Sequence, residues 1–268
     1  MTKSLITIAG WDPTGGAGAL LDLRVFERLG RRGYGVLTAV TAQSPAAVAR
    51  VVPVPARAVT DQFERLAEGL EIGGIKAGML ATSANLGAAA RILGRMEGRP
   101  RVIDPVLRSS SGLPLLEKKA WPRLLEACAG RAELITPNLA EAAVLAGRPV
   151  RDLAGMKEAA ERIHARSGLA CLVKGGHLEG RAADVLFDGR DFAEFPHPRE
   201  ARDVHGTGCF LSSAILCYLA EGRPLKEACG LGIFRTVQAI RWAVPAGGGR
   251  WVFDLARGRG RLPLGSPS

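Results

Sequence analysis

Several short stretches of this 268-residue chain carry residue types that do chemistry. "HGTGC" (205–209) leads into an apolar run with helical spacing. Glycines at 206 and 208 let the backbone turn so that several N–H groups face one point. The helix dipole adds positive charge there, which suits an anion. No lysine follows the glycines, as one would in a Walker loop, and Cys209 stands there instead. A thiol in the first turn of a helix is expected to have a lowered pKa and to act as a thiolate or proton acceptor. An ordinary glycine-rich helix start with a small, packed cysteine fits the same letters.

Lys174 in "VKGGH" (173–177) offers the missing cation. It closes an apolar strand, where a lysine is costly unless its ammonium emerges at an anion or snorkels to water. Asp104 follows Val102 and Ile103, and Glu141 comes three residues after Asn138 in "TPNLAE" (136–141). Asn138 and Glu141 have the spacing of a capping box. Asp104 and Glu141 also suit a loose Mg²⁺ site, since that ion prefers oxygen ligands and keeps several waters. Helix N-terminus, lysine, carboxylates and cysteine together point to phosphoryl transfer from a nucleotide. "GWDPTGGAG" (10–18) is no dinucleotide fingerprint, but Ala17 and Gly18 leave room for something flat. Gln43 is either a surface glutamine or an amide that reads the donor and acceptor edges of a heterocycle.

Alternating elements must position these groups. Apolar runs predict strands at 4–9, 35–42, 74–79, 101–105, 133–137 and 170–176, with an edge strand or flap at 48–54 around Pro53. Helical spacing predicts helices at 18–29, 56–70, 83–96, 115–129 (broken at Pro122), 138–146, 152–167, 207–221 and 225–243, and 182–196 reads as a hairpin across Asp188-Gly189. Such alternation predicts an α/β fold, a mostly parallel central sheet with helices on both faces. Ligands bind such sheets at the carboxyl ends of the strands. The residues there are Gly10 to Asp12, Gln43, Met79, Asp104, Asn138 and Lys174.

Composition sets the outer limits. The hydrophobic content of 47% supports a large core, and residues 1–257 read as a single domain with a frayed basic tail over 258–268. The net charge of +10 comes from scattered arginines, and only 5% of residues are aromatic, so no nucleic-acid partner is expected. The five cysteines have neither disulfide-framework nor zinc spacing. No apolar run is long enough for a membrane span, so the chain reads as soluble and cytoplasmic.

Taken in order, "ITIAGWDPTGGAG", "TAVTAQ", "GML" (78–80), "DPV" (104–106), "TPNLAEA" (136–142), "VKGGH" and "HGTGC" resemble the hydroxymethylpyrimidine/phosphomethylpyrimidine kinase family of thiamine biosynthesis, within the ribokinase-like superfamily. The resemblance covers about residues 4–240. It implies a ribokinase-like fold, Mg-ATP as donor and transfer to a primary alcohol of a small heterocycle. It implies Cys209 as catalytic base, Gly206, Thr207 and Gly208 as an anion hole, and Lys174 on the phosphates. Asn138, Gly206 and Gly208 would touch the nucleotide, and Asp104 and Glu141 would serve the metal. Gly10, Asp12, Ala17, Gln43, Met79 and Val106 would line the pyrimidine pocket, with Asp22 near it. A homodimer is expected. The chain departs from the family's usual letters at Thr41 (usually valine), at Ser44-Pro45 (usually Asn-Thr), at Ser110 (usually lysine) and in "GGGRW", where a glycine–histidine segment is usual. A pyridoxal kinase and a non-catalytic pyrimidine sensor are the competing expectations.

Overall fold

The computed structural model describes residues 3–176, 178, 182–200 and 202–256. Its centre is a nine-stranded sheet. β1 (Ser4–Trp11) lies between β2 (Gly33–Gln43) and β4 (Ile72–Ala77), and the sheet continues through β5 (Arg101–Ile103), β6 (Leu134–Ile135) and β7 (Ala170–Val173). These six strands are parallel. β3 (Val48–Pro53) pairs antiparallel with β2 at one edge, and β8 (Ala183–Phe187) and β9 (Phe192–Pro196) finish the other edge antiparallel. The sheet is thus mostly parallel, as expected, with antiparallel strands only toward its two edges. Pro53 sits in an edge strand, where its missing N–H breaks no central ladder.

Both faces are covered by helices. α1 (Gly18–Arg28), α7 (Thr207–Leu219) and α8 (Leu225–Arg241) pack on one face through Leu21, Val25, Phe210, Ala214 and Ile233. α2 (Ala56–Gly69), α3 (Ser83–Arg95), α4 (Leu124–Cys128), α5 (Leu139–Ala146) and α6 (Leu153–Ser167) pack on the other. Burial on both faces explains why β1 and β4 read as continuous apolar runs rather than alternating ones.

The chain runs from β1 outward to β2 and β3, then returns across to β4. β1 and β4 are thus neighbours whose connections leave in opposite directions, the arrangement that opens a crevice at their carboxyl ends. Gly10 to Asp12 and Met79 lie on that crevice.

Three differences from the sequence expectation have physical causes. The expected helix at 115–129 is a 3-10 turn (Lys118–Arg123) followed by the short α4, because Pro122 has no N–H to give an α-helical bond. The β8–β9 turn is wider than a dipeptide and closes through Asp188, whose carboxylate accepts the N–H groups of Arg190 and Asp191. A hairpin of β10 (Val244–Gly247) and β11 (Arg250–Val252) is present where no strand was expected. Pro245 and three glycines hide its pattern, and its Trp251 carbonyl accepts the N–H of His205 at 2.8 Å. His177 and the tail over 258–268 lie outside the described residues.

Candidate active site

The site forms where the carboxyl ends of β1, β4, β5 and β7 meet the N-termini of α1 and α7. α7 starts at Gly206, whose φ of 85° is left-handed and which has no side-chain cap. A Cβ at Gly206 would lie 1.9 Å from the carbonyl oxygen of Gly16, so the start of α7 sits directly on the 12–17 loop. α3, α5 and α6 by contrast are capped by Thr82, Asn138 and Asp152. Among the described residues nothing accepts the first-turn N–H groups of α7, at Thr207, Gly208 and Cys209, so they suit an outside acceptor.

Lys174 follows β7 and meets that helix end. Its Nζ donates to Asp104 Oδ1 at 2.9 Å, and a Cβ on Gly208 would lie 2.8 Å from the same Nζ. Only glycine lets the ammonium come so close to the helix. Burial alone would lower the Lys174 pKa, but Asp104 and Glu141 outweigh it and hold the ammonium charged. Glu141 and Asn138 form a true capping box: Asn138 N–H donates to Glu141 Oε2, and Glu141 N–H to Asn138 Oδ1, each at 2.9 Å. Glu141 Oε1 faces the N–H of Leu107 at 3.4 Å. Burial, with Asp104 adding to it, pushes the Glu141 carboxyl up to about 7 despite the opposing charge of Lys174.

These donors suit a divalent ion only in part. Among the described residues no group of three or more His, Cys, Asp or Glu side chains is placed to cage a metal. Asp104 keeps one oxygen outside its bond to Lys174, and both Glu141 oxygens face backbone N–H groups. That set fits Mg²⁺ held through its waters and a substrate's phosphates rather than an all-protein cage.

Cys209 is where the structure corrects the sequence reading. A helix dipole alone would lower the pKa, but burial pushes the thiol up to about 12. Lys76 and a backbone hydrogen bond from Gly18 oppose that rise without cancelling it. Low dielectric penalises a thiolate more than one helix end favours it.

Lys76 was missed by sequence reasoning. It lies within β4, fully buried, and donates to Asp22 Oδ1 at 2.5 Å. Asp22 also accepts from Thr7 at 2.6 Å and from Ser213 at 2.8 Å. Ser213 is one turn below Cys209 on α7. Asp22 was expected near the heterocycle, but it is sealed beneath the site with its oxygens occupied, and so supports α7 from below. The signal for Lys76 was in plain view: a lysine inside an otherwise apolar central strand implies a buried counter-charge.

Asp12 also differs from expectation. Its carboxylate accepts from the backbone and hydroxyl of Thr14 (2.8 and 2.7 Å), the N–H of Ala17 (2.9 Å) and His205 Nε2 (3.0 Å). Burial would raise its pKa, yet the bonds from His205 and Thr14 outweigh it and keep the carboxyl below its ordinary value. Asp12 therefore organises the glycine loop, with no oxygen left for a ring.

The remaining pocket candidates converge. A Cβ on Gly10 would meet Met79 Sδ at 2.6 Å. Met79 clusters with Ala39, Ala81 and Leu115, and Val51 and Val106 pack against them. Gln43 stands at the mouth, its amide 3.0 Å from Thr41 Oγ1 and 3.5 Å from His205 Nε2. An apolar floor, a polar amide and an uncapped helix end with a lysine thus share one crevice. The family model for phosphomethylpyrimidine kinase matches residues 12–253, nearly the whole of this crevice and its supports.

The chain belongs to the phosphomethylpyrimidine kinase family.

Relatives of this kinase agree. It is 43% identical to a hydroxymethylpyrimidine/phosphomethylpyrimidine kinase of Rhizobium meliloti over 231 residues, which cover 85% of this chain and 86% of that one. It is 40% identical to the thiamine biosynthesis bifunctional protein ThiED of Geobacter sulfurreducens, covering 92% of this chain but spanning only 51% of that longer protein. Its fold matches an ADP complex of Bacillus subtilis pyridoxal kinase with a TM-score of 0.85 at 29% identity, over 94% of this chain and 97% of that one. The ribokinase-like α/β architecture is therefore established. Among the described residues no helix is long and apolar enough to cross a membrane.

Proposed function

We propose that this kinase, with residues 1–257 as one functional unit, transfers the terminal phosphoryl group of ATP to the hydroxymethyl arm of 4-amino-5-hydroxymethyl-2-methylpyrimidine, and acts also on the monophosphate. One observation carries the reading: Lys174 is paired with Asp104 against the uncapped start of α7. A lysine at the positive end of a helix is unfavourable unless an anion lies between them. In the free protein Asp104 is that anion, and a phosphate entering the same place satisfies both positive groups.

In this reading the N–H groups of Thr207, Gly208 and Cys209 hold the transferring group while Lys174 balances its charge, which is the positioning that phosphoryl transfer requires. Asp104 and Glu141 would hold Mg²⁺ through water, and the ion would supply charge neutralisation for the phosphates. Asn138, at the start of α5 beside Lys174, borders the nucleotide. Cys209 takes the alcohol proton as its thiolate and becomes the neutral thiol. Gly10, Met79 and Val106 accept the flat ring, and Gln43 reads its polar edge.

An assay of ADP release with Mg-ATP tests this against the pyrimidine alcohol, its monophosphate and pyridoxal. The pyrimidine is expected to give the higher kcat/KM of the two alcohols. A preference for pyridoxal of tenfold or more, about 1.4 kcal/mol in the barrier, would overturn the assignment. Pyridoxal is the second reading, favoured by the fold match to the Bacillus subtilis pyridoxal kinase. No turnover on any of the three would return the chain to the sensor reading.

The kinase also presents a cross-strand pair, Val40 and Val52, 44% and 52% exposed on the β2–β3 edge. A homodimer that covers this pair is the proposed assembly, and light scattering after gel filtration of wild type and Val52→Lys tests it.

A further inference from the structure

We infer that Thr41 fixes the side-chain amide of Gln43, with Nε2 toward Thr41 and Oε1 toward His205, and is thereby a specificity-determining positioning residue; the inference rests on the proposed role of Gln43 at the heterocycle edge. Gln43 stands with Oε1 3.0 Å from Thr41 Oγ1 and Nε2 3.5 Å from His205 Nε2. Shape alone does not distinguish the two ends of an amide, so their partners must decide.

The Thr41 hydroxyl has one hydrogen. The Trp11 carbonyl oxygen, which only accepts, lies 2.9 Å from Thr41 Oγ1 and takes it. Thr41 then has only acceptor capacity left for Gln43, and the amide atom it faces must be a donor. The other end agrees independently. His205 Nε2 is 3.0 Å from Asp12 Oδ2, and a carboxylate only accepts. His205 Nε2 therefore carries a hydrogen, in the neutral ring and the imidazolium alike. The amide atom facing it must be an acceptor. With Oε1 toward Thr41, two acceptors and two donors would confront each other. Half a turn about the Gln43 Cγ–Cδ bond makes the Thr41 contact donor to acceptor and removes the donor–donor clash at His205, whose one Nε2 hydrogen stays with Asp12 and faces the amide oxygen only at 3.5 Å.

The consequence is directional. The fixed amide offers an N–H on the Thr41 side and a carbonyl lone pair on the His205 side. An aminopyrimidine presents a ring-nitrogen acceptor beside an amino donor, and a fixed amide pairs with that edge in one direction only. A valine at 41 has no hydroxyl to hold Nε2, and the amide then loses one of its two constraints.

Two measurements test this. In isotopically labelled wild-type protein without substrate, the Gln43 side-chain NH₂ is expected to show nuclear Overhauser contacts to the Thr41 γ-methyl group. Contacts to the His205 ring hydrogens instead would overturn the orientation, whatever the enzyme phosphorylates. In kinetics, Thr41→Val is expected to raise KM for the aminopyrimidine about three- to tenfold, the worth of one hydrogen bond, with a smaller effect on kcat. It should narrow the kcat/KM ratio of aminopyrimidine to pyridoxal by a similar factor. Thr41→Ser, which keeps the hydroxyl, recovers most of the loss. An unchanged ratio in Thr41→Val, or a loss in Thr41→Ser equal to that in Thr41→Val, would refute the specificity role. Absence of turnover on every acceptor would instead count against the proposed function and leave the amide measurement standing.

Discussion

Lys174 Nζ donates to Asp104 Oδ1 at 2.9 Å beside Gly208, in the first turn of α7. Three elements far apart in sequence, β5, β7 and α7, meet at this contact. The Asp104 carboxylate is 3% exposed, so it depends on its lysine as much as the lysine depends on it.

Lys174→Met is therefore expected to have two effects. Turnover falls by about 10²–10³-fold, as for loss of one group that stabilises transition-state charge. Stability falls as well, by up to about 3–5 kcal/mol, because Asp104 is left buried and unpaired. Steady-state kinetics and urea denaturation separate the two when Asp104→Asn is added: stability should recover while turnover does not. Recovery of both would make Lys174 a structural residue.

Cys209→Ala should lower kcat by about 10²–10⁴-fold if the thiol accepts the alcohol proton. Since burial holds the thiol up to about 12, only a small thiolate fraction exists at neutral pH. Wild-type kcat/KM is then expected to climb with pH across about 7 to 9. Cys209→Asp should show a profile moved to lower pH, since a carboxylate ionises earlier. A flat wild-type profile over that range would remove Cys209 as the base.

Lys76 and Asp22 form a fully buried ion pair beneath α7. Lys76→Met leaves a charged Asp22 with two hydroxyl partners and no cation, and is expected to cost about 3–5 kcal/mol. Lys76→Met combined with Asp22→Asn should cost less than either change alone. Chemical denaturation of the three variants decides it, and simple additivity would show that the two groups do not act as a pair.

His197 gives a pH-dependent term in stability. The hydrogen bond to Asp184 raises its pKa, against a smaller opposing effect of burial. Nε2 lies 3.4 Å from Asp184 Oδ1 and Nδ1 3.2 Å from the Pro198 carbonyl, so both ring nitrogens face acceptors and the imidazolium is the favoured form. A raised folded pKa means that the stabilisation is complete below the unfolded histidine value, about 6.5, and is lost as pH rises through the folded value. Urea midpoints of wild type and His197→Gln should therefore differ most in acid and converge in alkali. A gap that widens toward alkaline pH would contradict the assignment.

Much of this protein is legible in its sequence alone. The runs at 4–9, 74–79 and 170–176 are apolar because β1, β4 and β7 are covered on both faces, and local pattern reports that directly. The order of the motifs places Lys174, Asp104 and the start of α7 at strand ends and a helix end, where ligands bind. What is not legible depends on pairs of residues that are distant in the chain. Lys76 and Asp22 are 54 positions apart, and neither alone reveals a buried charge pair. His205, Asp12, Thr41 and Gln43 become one network only when β2, the glycine loop and the start of α7 are brought together. Asp12 looks free to meet a ligand, yet its carboxylate is used by its own loop and by a histidine 193 positions away. The Cys209 thiol is misjudged for the same reason. A helix dipole can be read from sequence, but the environment of a side chain is set by every element packed on it, and here Gly18 and Asp22 of α1 and Lys76 of β4 all act on the partly buried thiol.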